Sequence, residues 1–165
     1  MVVNAYGMDA GDDLPKVVVV DASSLSKGWH PGPDEAAFTA RSVWAEILLG
    51  GTPPFEVKVE QPSRRSVSSV LETAISTGDD ARLSRADVDL LALALDARGA
   101  IVTEDFSIQN VAEVLRIPWS SVGAPISEVR KWRYRCSGCL KVYEEPHDAC
   151  PVCGAGLRTY GGPRK

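Results

Sequence analysis

The chain has 165 residues, 44% hydrophobic and 24% charged, with a formal net charge of −4; this suits one packed domain of roughly 100 to 130 residues and a small appendage. No apolar run approaches the roughly 18 residues of a membrane span. The start, "MVVNAYGMDAGDDLPK", lacks the basic and apolar regions of a signal peptide, so membrane and secretory classes are set aside for a cytoplasmic globular protein. The −4 conceals a division: residues 1–128 hold 10 Lys+Arg against 19 Asp+Glu, net −9, and residues 129–165 hold 8 against 3, net +5. An acidic body carries a basic tail, and the tail is the better place to look for polyanion binding.

Residues 1–14 are expected to form a flexible leader. "KVVVVDAS" is too apolar for a half-exposed strand and reads as a central parallel strand ending at Asp21. "DEAAFTARSVWAEILLG" reads as a helix, with Phe38, Val43 and Ile47 at helical spacing and Gly50 and Gly51 as its stop. "FEVKVEQ" is a short alternating strand, and "SVSSVLETAISTGD" a helix ended by Gly78. "LSRADVDLLALALDARG" is the clearest helix: Ser84 caps it, Asp87 completes a capping box, and Leu91 and Leu95 share a face. "AIVT" is a buried strand, "FSIQNVAEVL" a helix and "IPWSSV" the last strand of the body. This alternation predicts an α/β sandwich with a mostly parallel central sheet flanked by helices.

In such folds ligands sit beyond the carboxyl ends of the strands, where Asp21 and Asp105 both fall. Glu46 enters from a helix among apolar neighbours, and Asp87 opens another helix with Asp89 two positions on, so those two point apart and only one faces the crevice. Each acid has a plain structural use: Asp21 and Asp105 can cap turns or helices, Asp87 belongs to its capping box, and Glu46 can pair with Arg41. Four acids gathered at one end of one α/β unit nevertheless repel one another unless a cation lies among them, and hard divalent ions take oxygen ligands. Metal-assisted phosphodiester cleavage is the chemistry that needs such a cluster. Glu104, beside Asp105, reads as a solvated neighbour that adds field.

"VVVVDASSL", the helical Glu46, "LSRADVDLLALAL" and "IVTEDFSIQNVA" resemble the four acidic motifs of the PIN-domain nucleases over residues 16–125. The resemblance implies a ribonuclease dependent on Mg²⁺ or Mn²⁺ that leaves 5′-phosphate and 3′-hydroxyl ends. It implies that Asp21, Glu46, Asp87 and Asp105 are the catalytic, metal-binding acids, with the hydroxyls of Ser23 and Thr103 orienting carboxylates. The additional acids Asp89 and Glu104 leave open which member of each pair binds metal.

The four cysteines fall together as "CSGCLKVYEEPHDACPVCG": Cys136 and Cys139, ten intervening residues, then Cys150 and Cys153. In a cytoplasmic protein this spacing reads as one structural zinc held by four thiolates, each pair followed by or containing a glycine for a tight knuckle. His147 is the alternative ligand, left without a vacancy. About 30 residues cannot hold a core unaided, so this ribbon should depend on its metal. Leading into it, "VRKWRYRC" alternates Lys131, Arg133 and Arg135 with Trp132 and Tyr134, which on a strand puts bases on one face and aromatics on the other. That pattern suits an ordinary packed ribbon strand, or RNA binding in which cations grip phosphates and an aromatic stacks on a base. In the "SKGWHPGP" loop, Trp29 and His30 can likewise meet RNA or anchor the loop.

A PIN-like body followed at once by a four-cysteine ribbon is similar to the archaeal Nob-type endoribonucleases of ribosome assembly. That similarity implies a substrate in precursor small-subunit rRNA, processed at its 3′ end within a pre-ribosomal particle. Two other readings stand beside it: a toxin-type PIN ribonuclease acting on tRNA or mRNA, and a non-catalytic RNA-binding adaptor. No phosphate-cradling glycine loop and no hydrolase triad is present, so no organic cofactor is expected. The expected divisions are leader 1–14, PIN-like body 15–128, ribbon 129–160 and tail 161–165.

Overall fold

A computed structural model describes residues 16–122 and 132–160. The expected leader, the tail, the body–ribbon boundary at 128/129 and Lys131 lie outside those residues.

The body runs β1 (Val17–Val20), α1 (Ala22–Ser26), β2 (Ala36–Ala40), α2 (Arg41–Leu49), β3 (Val57–Glu60), α3 (Arg64–Thr77), α4 (Arg85–Ala97), β4 (Ala100–Val102), α5 (Phe106–Leu115) and β5 (Trp119–Ser120). Its sheet has the order β3-β2-β1-β4-β5, and every neighbouring pair is parallel. The α/β expectation therefore holds. β1 lies in the middle, and Val18, Val19 and Val20 are wholly buried. Both faces of a central parallel strand are covered, which is why this run shows no alternation. Val19 joins the larger core with Val70, Leu91, Ile101, Ile108 and Val111, whereas Val18, Val20, Ala100 and Val102 pack under Leu25, Trp29 and Val57.

One element differs from expectation. "DEAAFTARSVWAEILLG" is not a single helix: Ala36–Ala40 forms β2 between β1 and β3, and the helix starts at Arg41. Alanine favours helix locally, and Phe38, Val43 and Ile47 happen to keep helical spacing, but the open ladder beside β1 overrides that preference. Ala40 is the N-cap of α2 with no side-chain cap, so strand joins helix without a polar residue to mark the boundary. Elsewhere the local signals hold: Ser84 and Asp87 form the reciprocal capping box of α4, and Gly78 ends α3 at φ 79°.

Two close approaches fix neighbouring elements. A Cβ on Gly99 would lie 2.5 Å from the Val17 carbonyl oxygen, so only glycine lets the α4–β4 turn touch β1. Near the C-terminus of α4, Asp96 accepts from Ser63 N at 2.6 Å, Ser63 Oγ at 2.9 Å and Ser66 Oγ at 2.6 Å, clamping the start of α3. Burial pushes the Asp96 carboxyl up, but those hydrogen bonds outweigh it and hold it below its ordinary value.

The C-terminal module is a three-stranded antiparallel sheet, ordered β7-β6-β8, from β6 (Arg133–Cys136), β7 (Val142–Tyr143) and β8 (Leu157–Tyr160).

Candidate functional site

β1 and β4 pair in parallel, with Val20 opposite Val102, so the residues that follow both strands emerge at one edge. Asp21 follows β1, is 8% exposed, and caps α1 by accepting from Ser24 N at 2.7 Å on Oδ1. Ser23 Oγ donates to the same oxygen at 3.0 Å, and Thr103 Oγ1 donates to Oδ2 at 2.7 Å. Thr103, wholly buried after β4, accepts in turn from Asp105 N at 3.1 Å. One hydroxyl thus ties the two acids together. Asp105 caps α5 through Ser107 N at 2.7 Å on Oδ1, so the capping role open to it is real, and among the described residues its Oδ2 takes no hydrogen bond. Among the described residues no lysine or arginine lies within ion-pair distance of Asp21 or Asp105. A buried carboxylate fixed by two hydroxyls and an amide, with no counter-charge among the described residues, suits a hard cation.

The other acids stand on helices, and among the described residues no hydrogen bond joins them to Asp21 or Asp105. Asp87 sits in the first turn of α4, with Oδ2 2.7 Å from Ser84 N. Asp89 points elsewhere, accepting from Ser42 Oγ at 2.8 Å at the start of α2. Glu46 is exposed rather than embedded among apolar groups, so the expected burial cost does not arise. It lines an open pocket of about 290 Å³ with Trp29, His30 and Phe55, and the indole meets the Phe55 ring edge-on at 5.9 Å. Glu104 also departs from expectation. It is no solvated bystander: it takes Lys27 Nζ at 2.8 Å and Val122 N at 2.6 Å, joining the end of α1 to the end of β5.

Among the described residues, the group of three or more metal-ligating side chains with donor atoms mutually within 4.8 Å is Cys136, Cys139, Cys150 and Cys153; the carboxylates stand farther apart. A tetrahedral zinc with Zn–S near 2.3 Å separates its sulfurs by about 3.8 Å. Here Cys136 and Cys153 are 3.3 Å apart and Cys139 and Cys150 3.6 Å, so the set fits. Backbone N–H groups of Gly138 and Cys139 point at Cys136 Sγ, and Tyr143 Oη lies 3.0 Å from Cys150 Sγ. The Tyr143 hydroxyl is the chief cause that holds the Cys150 thiol down at about 6, toward the thiolate a metal requires. The glycines divide their work differently from expectation. Gly154 takes φ 74° after the second pair, but Leu140, not glycine, takes φ 63° after the first. Gly138 is needed for space, since a Cβ there would be 3.0 Å from Ala155 Cβ. His147 lies edge-on to Tyr143, outside the thiol set.

The aromatic and basic faces of β6 do separate. Arg133 and Arg135 lie over the Tyr160 ring at 5.7 and 5.3 Å, and Arg135 is paired directly across from Arg158. Two like charges at one cross-strand position repel unless an anion sits between them. Arg158 and Tyr160 escaped sequence reading because β8 pairs with β6 from more than twenty residues away. On the other face, Trp132 holds the ribbon to the body. Its N–H donates to the Thr77 carbonyl at 3.0 Å and its indole Nε1 to Asp79 Oδ1 at 2.7 Å, while Asn110 Nδ2 donates to Asp79 Oδ2 at 2.6 Å. Asp79 has no exposed surface. Burial, and then the charges of Asp80 and Asp79, push the Tyr134 phenol up.

The family described as "PIN domain of ribonuclease" matches residues 18–97. The chain is similar to Ribonuclease VapC1 of Thermoplasma acidophilum, 41% identical over 112 residues, 66% of this chain and 57% of that one. It is also similar to Endoribonuclease Nob1 of Pyrococcus abyssi, 35% identical over 105 residues, 62% of this chain and 65% of that one. It therefore spans less than two thirds of the length of either. Against Endoribonuclease Nob1 of Archaeoglobus fulgidus, identity is 41% over 150 residues, 85% of this chain and 88% of the relative. With that identity over most of both chains, a PIN match over residues 18–97 and a four-thiol cluster behind it, the chain belongs to the Nob1 endoribonuclease family.

Proposed function

We propose that this protein is a metal-dependent endoribonuclease that makes the 3′ end of small-subunit rRNA from its precursor, acting in the cytoplasm on an assembling particle. The observation that carries the reading is the Asp21–Thr103–Asp105 linkage at the carboxyl edge of β1 and β4, a buried carboxylate tied to an exposed one, with no lysine or arginine in ion-pair distance of either among the described residues. Asp21, Asp105, Asp87 and Glu46 are the residues to hold Mg²⁺ or Mn²⁺. A divalent ion bound there supplies Lewis-acid activation of the phosphodiester and its attacking water, giving 5′-phosphate and 3′-hydroxyl ends. Thr103 and Ser23 keep both oxygens of Asp21 aimed and desolvated, which preorganises the acid before substrate arrives.

The zinc ribbon holds its fold through one structural ion and offers Arg133, Arg135 and Arg158 to RNA phosphates, with Lys131 proposed beside them. Trp132 and Tyr134 serve chiefly to seat it on the body. Because the body is acidic, RNA is drawn mainly to the ribbon, and specificity comes from the particle.

The test is cleavage of an RNA spanning the 3′ end of small-subunit rRNA, with or without added Mn²⁺, by the zinc-loaded unaltered protein and by Asp21→Asn. A single Mn²⁺-dependent cut at the mature end, lost in the variant, is the expected result. Cleavage of tRNA or mRNA instead would favour the second reading, which the similarity to Ribonuclease VapC1 supports. Tight binding with no cut on RNA or precursor particles would favour an adaptor.

A further inference from the structure

An open pocket of about 510 Å³ lies between the acid edge and the ribbon, lined by Arg82, Glu104, Asp105, Phe106, Ser107 and Trp132. Its volume falls within the roughly 300–1,000 Å³ of small-ligand sites. We propose that this pocket is a nucleotide subsite of the RNA substrate: Arg82 takes a phosphate and Phe106 stacks on a base beside Asp105. The proposal rests on the ribonuclease reading above and adds residues that neither the acids nor the thiols account for.

Among the described residues Arg82 is the one cation lining the pocket. Its guanidinium carbon sits 4.0 Å above the Trp132 ring centroid, and among the described residues no carboxylate is within ion-pair distance of it. The indole covers one side of the guanidinium group, and its N–H groups, with no carboxylate in ion-pair distance among the described residues, suit a grip on two phosphate oxygens at once. The indole beneath is itself immobilised by the buried Asp79, which Asn110 holds from α5. The cation therefore stands on a rigid footing, which lowers the entropy cost of ordering it on a ligand.

Phe106 supplies the second half. It is the first residue of α5, directly after Asp105, and 54% exposed. Its neighbours along α5 that point inward, Ile108 and Val111, are fully packed. An aromatic left in water at the lip of a pocket that also holds a guanidinium and a metal-binding carboxylate offers a π-face to an unstacked base. Glu104 does not oppose an incoming phosphate strongly, because Lys27 and Val122 N already engage it. Trp132 belongs to the ribbon side of the chain, so body and ribbon build the subsite jointly.

The experiment uses the full zinc-loaded chain and the RNA spanning the 3′ end of small-subunit rRNA. Binding is followed by fluorescence anisotropy across a salt series with no Mg²⁺ or Mn²⁺ added and no chelator, so that the zinc stays in place, and cleavage in Mn²⁺. Arg82→Gln is expected to raise Kd and KM about tenfold with kcat within about twofold, and to make the slope of log K against log salt shallower by about 0.7. Phe106→Ala should weaken binding about tenfold with that slope unchanged. Arg82→Lys should keep the slope but not the affinity, since an ammonium neither stacks nor forks. Both side chains are exposed, so folding and zinc content should match the unaltered protein. Should the unaltered protein cut while Arg82→Gln and Phe106→Ala bind and cut equally well, the subsite is overturned and the nuclease reading stands. Should it bind but never cut, with both variants still weakened, the subsite stands as an RNA-binding pocket and the nuclease reading falls.

Discussion

Replacing Thr103 by valine exchanges a hydroxyl for a methyl group of similar volume at a position with no exposed surface. The hydroxyl donates to Asp21 Oδ2 at 2.7 Å and accepts from Asp105 N at 3.1 Å. A hydrogen bond to a charged group contributes about 1.5–3 kcal/mol and a neutral one about 1 kcal/mol. The loss should therefore be about 2–4 kcal/mol, because Oδ2 and the Asp105 amide both remain in place facing carbon. Asp21 would keep Ser23 Oγ and Ser24 N on Oδ1, so the cap of α1 survives and the effect stays at the acid edge. Urea unfolding of the zinc-loaded protein, followed by far-ultraviolet circular dichroism, measures the first quantity. The Mn²⁺ concentration giving half-maximal cleavage measures the second, expected to rise by about 10- to 100-fold for a displaced supporting group. Thr103→Ser keeps the hydroxyl and should lose only about 1 kcal/mol for its missing methyl. A destabilisation by valine below about 0.5 kcal/mol, with the Mn²⁺ requirement unchanged, would refute the claim that this hydroxyl organises the two acids.

Three further outcomes follow from the geometry. Gly78→Ala places a Cβ 2.9 Å from Trp132 Cβ at a backbone φ of 79°, so it should cost about 1–3 kcal/mol and loosen the ribbon from the body, seen as a changed emission of Trp132. The Asp96 clamp stabilises while its carboxyl is ionised: because its folded-state value lies below the ordinary one, the contribution is full above about pH 4 and fades as pH falls through the lowered value. Asp96→Asn should flatten that acid limb in a pH series of melting temperatures, and an unchanged limb would assign it elsewhere. Chelation of zinc should unfold the ribbon and abolish the tail's protection from proteolysis while the circular dichroism of the parallel-sheet body persists, because the body's core shares no thiol.

What could be read from the sequence was what is encoded locally. The valines of β1, the capping box of Ser84 and Asp87, the left-handed stop at Gly78 and the cysteine spacing each declare themselves within a few residues. β2 did not, because its alanines favour helix and its junction with α2 has no capping side chain. Glu104 was misread for a related reason: its partner Lys27 is 77 positions away, so no window contains both. The same holds for Arg82 on Trp132, for Arg135 across from Arg158, and for Asp79, an acid in an ordinary-looking loop whose burial depends on the packing of α5 and the ribbon.

The seam where Ala40 ends a strand and Arg41 begins a helix leaves no slack in the chain. One residue inserted there would turn the whole of α2 by about 100° relative to the sheet, since each residue advances a helix by that angle. Val43 and Ile47 would leave the core, Ser42 would lose Asp89, and Glu46 would swing away from the pocket it lines. Length variation among descendants of this chain should therefore accumulate in the segments 28–35 and 50–56, and be purged at the seam, where a reading of amino-acid identity alone sees only an unremarkable pair of residues.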